Sequence, residues 1–182
     1  MPAGSSRAQR AVFLDRDGVV VRALVSDGLP RSASTLEELE ILPDVEEACS
    51  VLKEAGFALV VVTNQPEIAR GTLDAEIVER QNDALRSALP LDEVLVCPHD
   101  DSDGCDCRKP KPGMLVDAAA QLGLDLASSF MVGDRWRDVE AGRRAGCRVV
   151  FVDRSYDEQL GQEPEAVVPD LGAAARWILA VC

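Results

Sequence analysis

Three of the chain's six cysteines and its single histidine fall in one short stretch, Cys97-Pro-His99 followed by Cys105-Asp-Cys107. Three thiols and an imidazole in one loop suit a tetrahedral Zn²⁺; four protein ligands leave no open position, which makes the site structural. The competing reading is a set of free thiols. Arg108-Lys109 follows the last cysteine, so a braced loop would aim two cations at something anionic. A second constellation is Asp15-Arg-Asp17-Gly18, directly after an apolar run. Read as a calcium loop, it places Val19 and Val20 where a ligand and a glycine belong. Read as catalytic, it offers a carboxylate nucleophile and a neighbouring acid/base. Two adjacent carboxylates repel each other and an incoming phosphate. A hard divalent cation such as Mg²⁺ is therefore required, with Asp134 as the natural third ligand and Asp138 one helical turn further on.

These groups must be positioned by something. Apolar runs at Ala11 to Leu14, Ala58 to Val62, Val94 to Val96, Phe130 to Val132, Val149 to Val152 and Ala166 to Val168 are apolar throughout, as expected of strands buried on both faces of a parallel sheet. Between them lie helical patterns. Asp44 opens one that runs to Ala55 and stops at Gly56. Leu73 to Leu89 precedes Pro90, Met114 to Leu122 stops at Gly123, and Trp136 to Ala145 stops at Gly146. A last one begins at Pro169-Asp170. Strands alternating with helices imply a doubly wound, Rossmann-like α/β fold of parallel strands with right-handed crossovers. Ligands in such sheets bind beyond the carboxyl ends of the strands. That rule brings Asp15-Arg-Asp17-Gly18, Thr63-Asn64-Gln65, Cys97 and Gly133-Asp134 to one edge.

Composition narrows the function. The 182 residues suffice for one domain, expected over residues 11–182 with residues 1–10 as a flexible tail and the zinc loop at 97–107. No apolar run reaches membrane-spanning length and the N-terminus lacks a signal-peptide core, so a cytoplasmic protein is expected. The net charge of −13 argues against a nucleic-acid partner, though not against a small phosphorylated ligand held in a local basic pocket. No segment marks an oligomer interface, and a monomer is expected.

Together, Asp15-Arg-Asp-Gly, Thr63-Asn-Gln, Lys109 and Gly133-Asp134 with Asp138 resemble the four motifs of haloacid-dehalogenase-type phosphatases, over roughly Phe13 to Asp138. The zinc loop and the run Thr63-Asn-Gln-Pro-Glu-Ile-Ala-Arg-Gly71 narrow the resemblance to the D-glycero-D-manno-heptose 1,7-bisphosphate phosphatases and the related histidinol-phosphate phosphatases. The short spacing from His99 to Cys105 is more like the histidinol-phosphate branch, the Gln65–Gly71 run more like the heptose branch. The resemblance implies that Asp15 attacks phosphorus and that Asp17 protonates the leaving group and then deprotonates water. It implies Mg²⁺ held by Asp15, the Asp17 carbonyl and Asp134, and phosphoryl oxygens stabilised by Thr63 and Lys109. Arg108 would recognise substrate, Asn64 and Gln65 would line the pocket, and Arg135 stands where relatives often carry lysine.

Neither Val19 to Phe57 nor Gln65 to Val94 has room for a folded lid, so the site should be open and capless. The loop from Val20 to Leu42, with Arg22, Gly28, Pro30 and Arg31, is expected to select the substrate. The expected reaction is removal of the C7 phosphate of the heptose bisphosphate on the way to nucleotide-activated heptose. The alternatives are histidinol-phosphate hydrolysis, end-healing of nucleic acid 3′-phosphates, which the acidic charge disfavours, and a phosphosugar-binding module without turnover.

Overall fold

The computed structural model describes residues 9–26 and 28–182. Most of the tail expected at residues 1–10 lies outside them; Gln9 bridges to Leu124, and the Arg10 guanidinium sits 4.2 Å from the centre of the Phe57 ring. Six parallel strands form the central sheet: β1 (Ala11–Leu14), β4 (Ala58–Asn64), β5 (Glu93–Cys97), β6 (Phe130–Gly133), β7 (Arg148–Val152) and β8 (Ala166–Val168), in the order β5-β4-β1-β6-β7-β8. All six occur where uninterrupted apolar runs predict them. Those runs are needed in β1, β4 and β6, where both faces are covered; the edge strand β8 leaves Val167 60% exposed. Val12 and Leu14 pack with α1 (Val45–Glu54), α3 (Ala75–Ala88) and α6 (Leu171–Ala180), whereas Ala11 and Phe13 face α4 (Gly113–Leu122) and α5 (Trp136–Ala145). Among the described residues, no helix is long and apolar enough to cross a membrane.

Local capping differs from expectation in one informative place. Asp44 precedes α1 as anticipated but makes no side-chain cap there. Its Oδ2 instead accepts the Gly172 N–H at 2.8 Å, at the start of α6, beside Asp170, which accepts the Ala173 N–H at 2.7 Å. Two carboxylates thus serve the N-terminal end of α6, where unpaired N–H groups and the helix dipole favour negative charge. α3 begins at Ala75, not at Leu73, because Asp74 caps it by accepting the Glu76 N–H at 2.9 Å.

The segment read as a plain loop from Val20 to Leu42 contains an antiparallel hairpin, β2 (Leu24–Ser26) with β3 (Leu29–Arg31). A short helix, α2 (Pro66–Ala69), follows β4. Neither insertion amounts to a lid domain. The chain passes outward from β1 to β4 and β5 on one side, then returns through α4 to β6 on the other side of β1. The topological switch point therefore lies at β1, and the crevice beyond its carboxyl end is the expected ligand site.

Candidate active site

The ends of β1, β4 and β6 deliver Asp15, Thr63 and Asp134 to that crevice, and the segment after the cysteine loop delivers Lys109. Lys109 is buried, and its ammonium group is fully committed. Nζ lies 2.7 Å from Asp15 Oδ1, 2.6 Å from Asp138 Oδ1 and 2.8 Å from the Val62 carbonyl. Burial works against its charge, but Asp138 and Asp15 outweigh burial and hold its pKa above the ordinary lysine value. Its backbone is clamped as well: Asn64 Nδ2 donates to the Lys109 carbonyl at 3.0 Å, and the Lys109 N–H donates to Asn64 Oδ1 at 3.1 Å.

Asp15, Asp134 and Asp138 are all buried, and one carboxylate oxygen from each lies within 4.8 Å of the others. One ammonium does not balance three carboxylates. Burial, reinforced by Asp138 and opposed by Lys109, raises Asp15 to about 6. Burial and the charges of Asp15 and Asp138 push Asp134 well above the usual carboxylate range. Neither Asp134 oxygen has a formed hydrogen bond among the described residues. Orphaned buried carboxylate oxygens crowded around a small gap are the donor set a hard divalent cation takes, so the residues fit Mg²⁺. The backbone is shaped to the same gap. Gly18 has φ +96°, and a Cβ there would fall 1.8 Å from Asp134 Oδ2; a Cβ at Gly133 would fall 2.1 Å from the Asp138 Cβ. Asp138 stays in place because its Oδ2 accepts the Arg135 N–H at 3.0 Å in the first turn of α5.

These values imply a pH dependence for the metal-free protein. A carboxylate whose pKa is raised by folding binds more protons in the folded state, so stability falls as pH rises between its unfolded and folded values. For Asp15 that window runs from about 4 to somewhat above 6. Metal-free protein should therefore melt at lower temperature at pH 8 than at pH 5.5, and Mg²⁺ should shrink the difference. Thermal melts with and without the cation check this.

Asp17 also lines the cavity. Its Oδ2 accepts from Gln65 Nε2 at 2.9 Å, Ser32 Oγ at 3.1 Å and Arg16 Nε at 3.1 Å. Gln65, expected to line the pocket, is fully buried and bonds Asp17 and the Thr63 hydroxyl (2.8 Å), so it orients catalytic candidates from behind. Arg16 escaped sequence reasoning. It is fully buried and joins Asp17 to Asn82 Oδ1 on α3 at 3.1 Å. A charged residue between two aspartates at the end of a fully buried strand was the available signal.

Arg108, Arg135, Arg137 and Arg31 line the cavity together with Lys109, beside Asp15, Asp17, Glu67 and Asp138, so basic groups concentrate at one site of an acidic protein, the mouth of this cavity. Asp101 organises half of it: its carboxylate accepts from Arg108 Nε at 2.8 Å and from Arg137 Nη1 at 2.9 Å. Those two bonds hold Asp101 down to about 2. Arg137 looks from the sequence like surface, and the structure brings it to the cavity; Asp101 stays solvent-exposed, as its place in an acidic fringe suggests, and acts through the two arginines it pairs with. Arg135 pairs with Glu158 through both arms of its guanidinium, one at 3.0 Å. Lys111 points away from the cavity, to the carbonyls of Gly104 and Cys105 at 3.0 and 2.6 Å.

Behind the mouth, Cys97, His99, Cys105 and Cys107 converge with their ligand atoms within 4.8 Å of one another. The three sulfurs are 3.0–3.7 Å apart, and His99 Nδ1 is 3.4 Å from Cys107 Sγ. A tetrahedron with metal–sulfur bonds of about 2.3 Å has edges of about 3.8 Å, close to these spacings. The loop also reaches the cavity, since the His99 carbonyl accepts from Arg108 Nη1 at 3.2 Å.

A parallel sheet with a carboxylate at the end of its first strand, a second aspartate two residues on, and a buried lysine shared with an aspartate of the last motif defines a haloacid-dehalogenase-like phosphatase. A family model described as HAD-hydrolase-like matches residues 106–174. A D-glycero-beta-D-manno-heptose-1,7-bisphosphate 7-phosphatase of Pseudomonas aeruginosa is 38% identical over 177 residues, 92% of this chain and 97% of that protein. The Escherichia coli K12 protein of the same name is 35% identical, covering 93% of this chain and 87% of that one. The crystal structure of D,D-heptose 1,7-bisphosphate phosphatase from B. bronchiseptica, complexed with magnesium and phosphate, matches with a TM-score of 0.81 and 35% identity, over 95% of this chain and 99% of that one. The chain belongs to the haloacid-dehalogenase-like hydrolases and, within them, to the family of the D-glycero-D-manno-heptose 1,7-bisphosphate phosphatases.

Proposed function

We propose that this chain is a Mg²⁺-dependent phosphomonoesterase that removes the C7 phosphate of D-glycero-D-manno-heptose 1,7-bisphosphate. The observation that carries the chemistry is the buried Asp15–Lys109–Asp138 arrangement, with the Asp134 carboxylate beside it and Asp17 lining the same cavity. The substrate rests on the activity for which the relatives are named and on the arginine-lined mouth, which suits a ligand carrying a second phosphate.

Lys109 engages Asp15 Oδ1, which leaves Oδ2 to attack phosphorus in line with the ester oxygen. A bond forms between that oxygen and phosphorus, the bond from phosphorus to the sugar oxygen breaks, and Asp17 gives its proton to the departing alkoxide. Asp17, now ionised and steadied by Arg16, Gln65 and Ser32, takes a proton from water. The resulting hydroxide breaks the acyl phosphate, inorganic phosphate leaves, and Asp15 is regenerated. Thr63 holds a transferring oxygen through its hydroxyl, and Lys109, whose N–H groups are already engaged, stabilises the charge on those oxygens electrostatically. Mg²⁺, held by Asp15, Asp134 and the Asp17 carbonyl, would screen the carboxylates from the phosphate and stabilise the charge that develops on its oxygens. Asn64 contributes through Lys109; Arg108 and Arg135 read the rest of the substrate.

In this reading Zn²⁺ occupies the Cys97–His99–Cys105–Cys107 cluster and braces Arg108. Cys107→Ser should lose the bound zinc, read by metal analysis. Its melting temperature should fall by about 10 °C, since a few kcal/mol moves a domain of this size by that much. The chain is read as a cytoplasmic monomer with one domain over residues 11–182, acting on a diffusible sugar phosphate.

A turnover panel with Mg²⁺ tests the substrate, using both anomers of the heptose bisphosphate, histidinol phosphate and a 3′-phosphorylated oligonucleotide. The highest kcat/KM is expected for a heptose bisphosphate anomer. Preference for histidinol phosphate would overturn the substrate, and no turnover of any would overturn the enzyme.

A further inference from the structure

The connection from β7 to β8 carries none of the family motifs, yet three alternate residues reach from it into the site. Arg154 Nε donates to the Gly18 carbonyl at 2.8 Å. The Tyr156 hydroxyl lies beside the Asp134 carboxylate. Glu158 clamps Arg135. Ser155 between the first two has φ 57°, the only positive φ outside glycine among the described residues, and its N–H donates to Asp153 Oδ1 at 2.8 Å. Such a conformation is uncommon for a residue with a side chain and persists where surrounding contacts impose it.

Asp134 needs a donor that the motifs do not supply. Both its oxygens are buried without a formed hydrogen bond, and Lys109 has no N–H to spare, its three partners being Asp15, Asp138 and the Val62 carbonyl. Gly18 leaves the space in which carboxylate and phenol meet: a Cβ there would lie 1.8 Å from Asp134 Oδ2 and 3.0 Å from the Tyr156 hydroxyl. A phenol O–H is a hydrogen-bond donor and a carboxylate only accepts, so the pair is chemically matched.

We propose that Tyr156 is a positioning residue of the metal site, its hydroxyl holding one oxygen of Asp134 so that the other faces the divalent cation. This rests on the Mg²⁺ reading above. Hydrogen bonds behind a ligand fix its orientation, and losing one typically weakens metal binding about 10–100-fold.

The test is cation binding by the zinc-loaded protein, read as free Mn²⁺ by electron paramagnetic resonance with Mg²⁺ as competitor. Tyr156→Phe should raise the dissociation constant about 10–100-fold. Melting temperature without Mn²⁺ or Mg²⁺ and zinc content should stay at wild-type levels, and kcat should recover at saturating Mg²⁺. Arg154→Ala, which frees the segment while keeping the phenol, should weaken binding in the same direction and serves if the phenylalanine variant does not fold. Wild-type affinity in the folded variants overturns the inference alone. Failure of the wild-type protein itself to take up Mn²⁺ or Mg²⁺ overturns the metal reading beneath it.

Discussion

Asp15→Asn should abolish turnover, lowering kcat by about 10⁴-fold or more, while leaving the protein folded. An amide cannot form the acyl phosphate, and loss of a nucleophile commonly costs that much or more. Stability should move the other way. The ionised Asp15 side chain is held at about 6 by burial and by Asp138, so above that pH its charge opposes folding. The neutral amide removes that charge, and its oxygen can still accept from Lys109. Melting at pH 8 should therefore be no lower than in the wild type. The pairing of lost rate with retained stability separates a catalytic role from a structural one. Substantial residual turnover would place the nucleophile elsewhere.

Lys109→Met should damage both stability and rate. Among the described residues the ammonium is the one cation in contact with Asp15 and Asp138, and its raised pKa marks charge stabilised by folding. That contribution is present below the ordinary lysine value and is lost only as pH climbs through the folded one. Removing one partner from a buried ion pair costs about 3–5 kcal/mol, because the remaining charges stay buried. For a domain of this size that is about 10 °C in melting temperature. The uncompensated carboxylates can escape by binding protons, so the loss should be larger at pH 8 than at pH 5.5, and Mg²⁺ should restore part of it. Turnover should fall by about 10²–10³-fold as well, through loss of positive charge at the phosphoryl oxygens. Thermal melts at the two pH values settle the first part; wild-type melting in the variant would mean that Lys109 is not the counter-ion.

The sheet was legible in the sequence because both its faces are covered, which forces uninterrupted apolar runs that end at polar residues. Asp15, Thr63 and Asp134 could be placed at one edge for the same reason: each directly follows or closes such a run. The hairpin Leu24–Arg31 was not legible. Its strands are three residues long, largely exposed and interrupted by Pro30, so no alternation marks them. Partnerships across the chain were also hidden. Nothing local to Asp44 shows that it serves a helix 128 residues away. Lys109 could be singled out, but its tie to Asp138 depends on how α5 docks against the segment after the cysteine loop. Arg16 and Arg137 look like ordinary charged residues until the fold closes around them, Arg16 completely. Buried charge is a property of the assembled site, and it explains why the site's skeleton could be read in advance while its support could not.

The most direct measurement is rapid acid quenching of the wild-type protein during steady turnover with Mg²⁺ present, followed by peptide mass spectrometry. A phosphoryl group on the peptide containing Asp15, absent from Asp15→Asn and chased away when substrate is exhausted, is the expected result. Undiminished turnover with no phosphoryl group trapped on Asp15 at any quench time would contradict the covalent route.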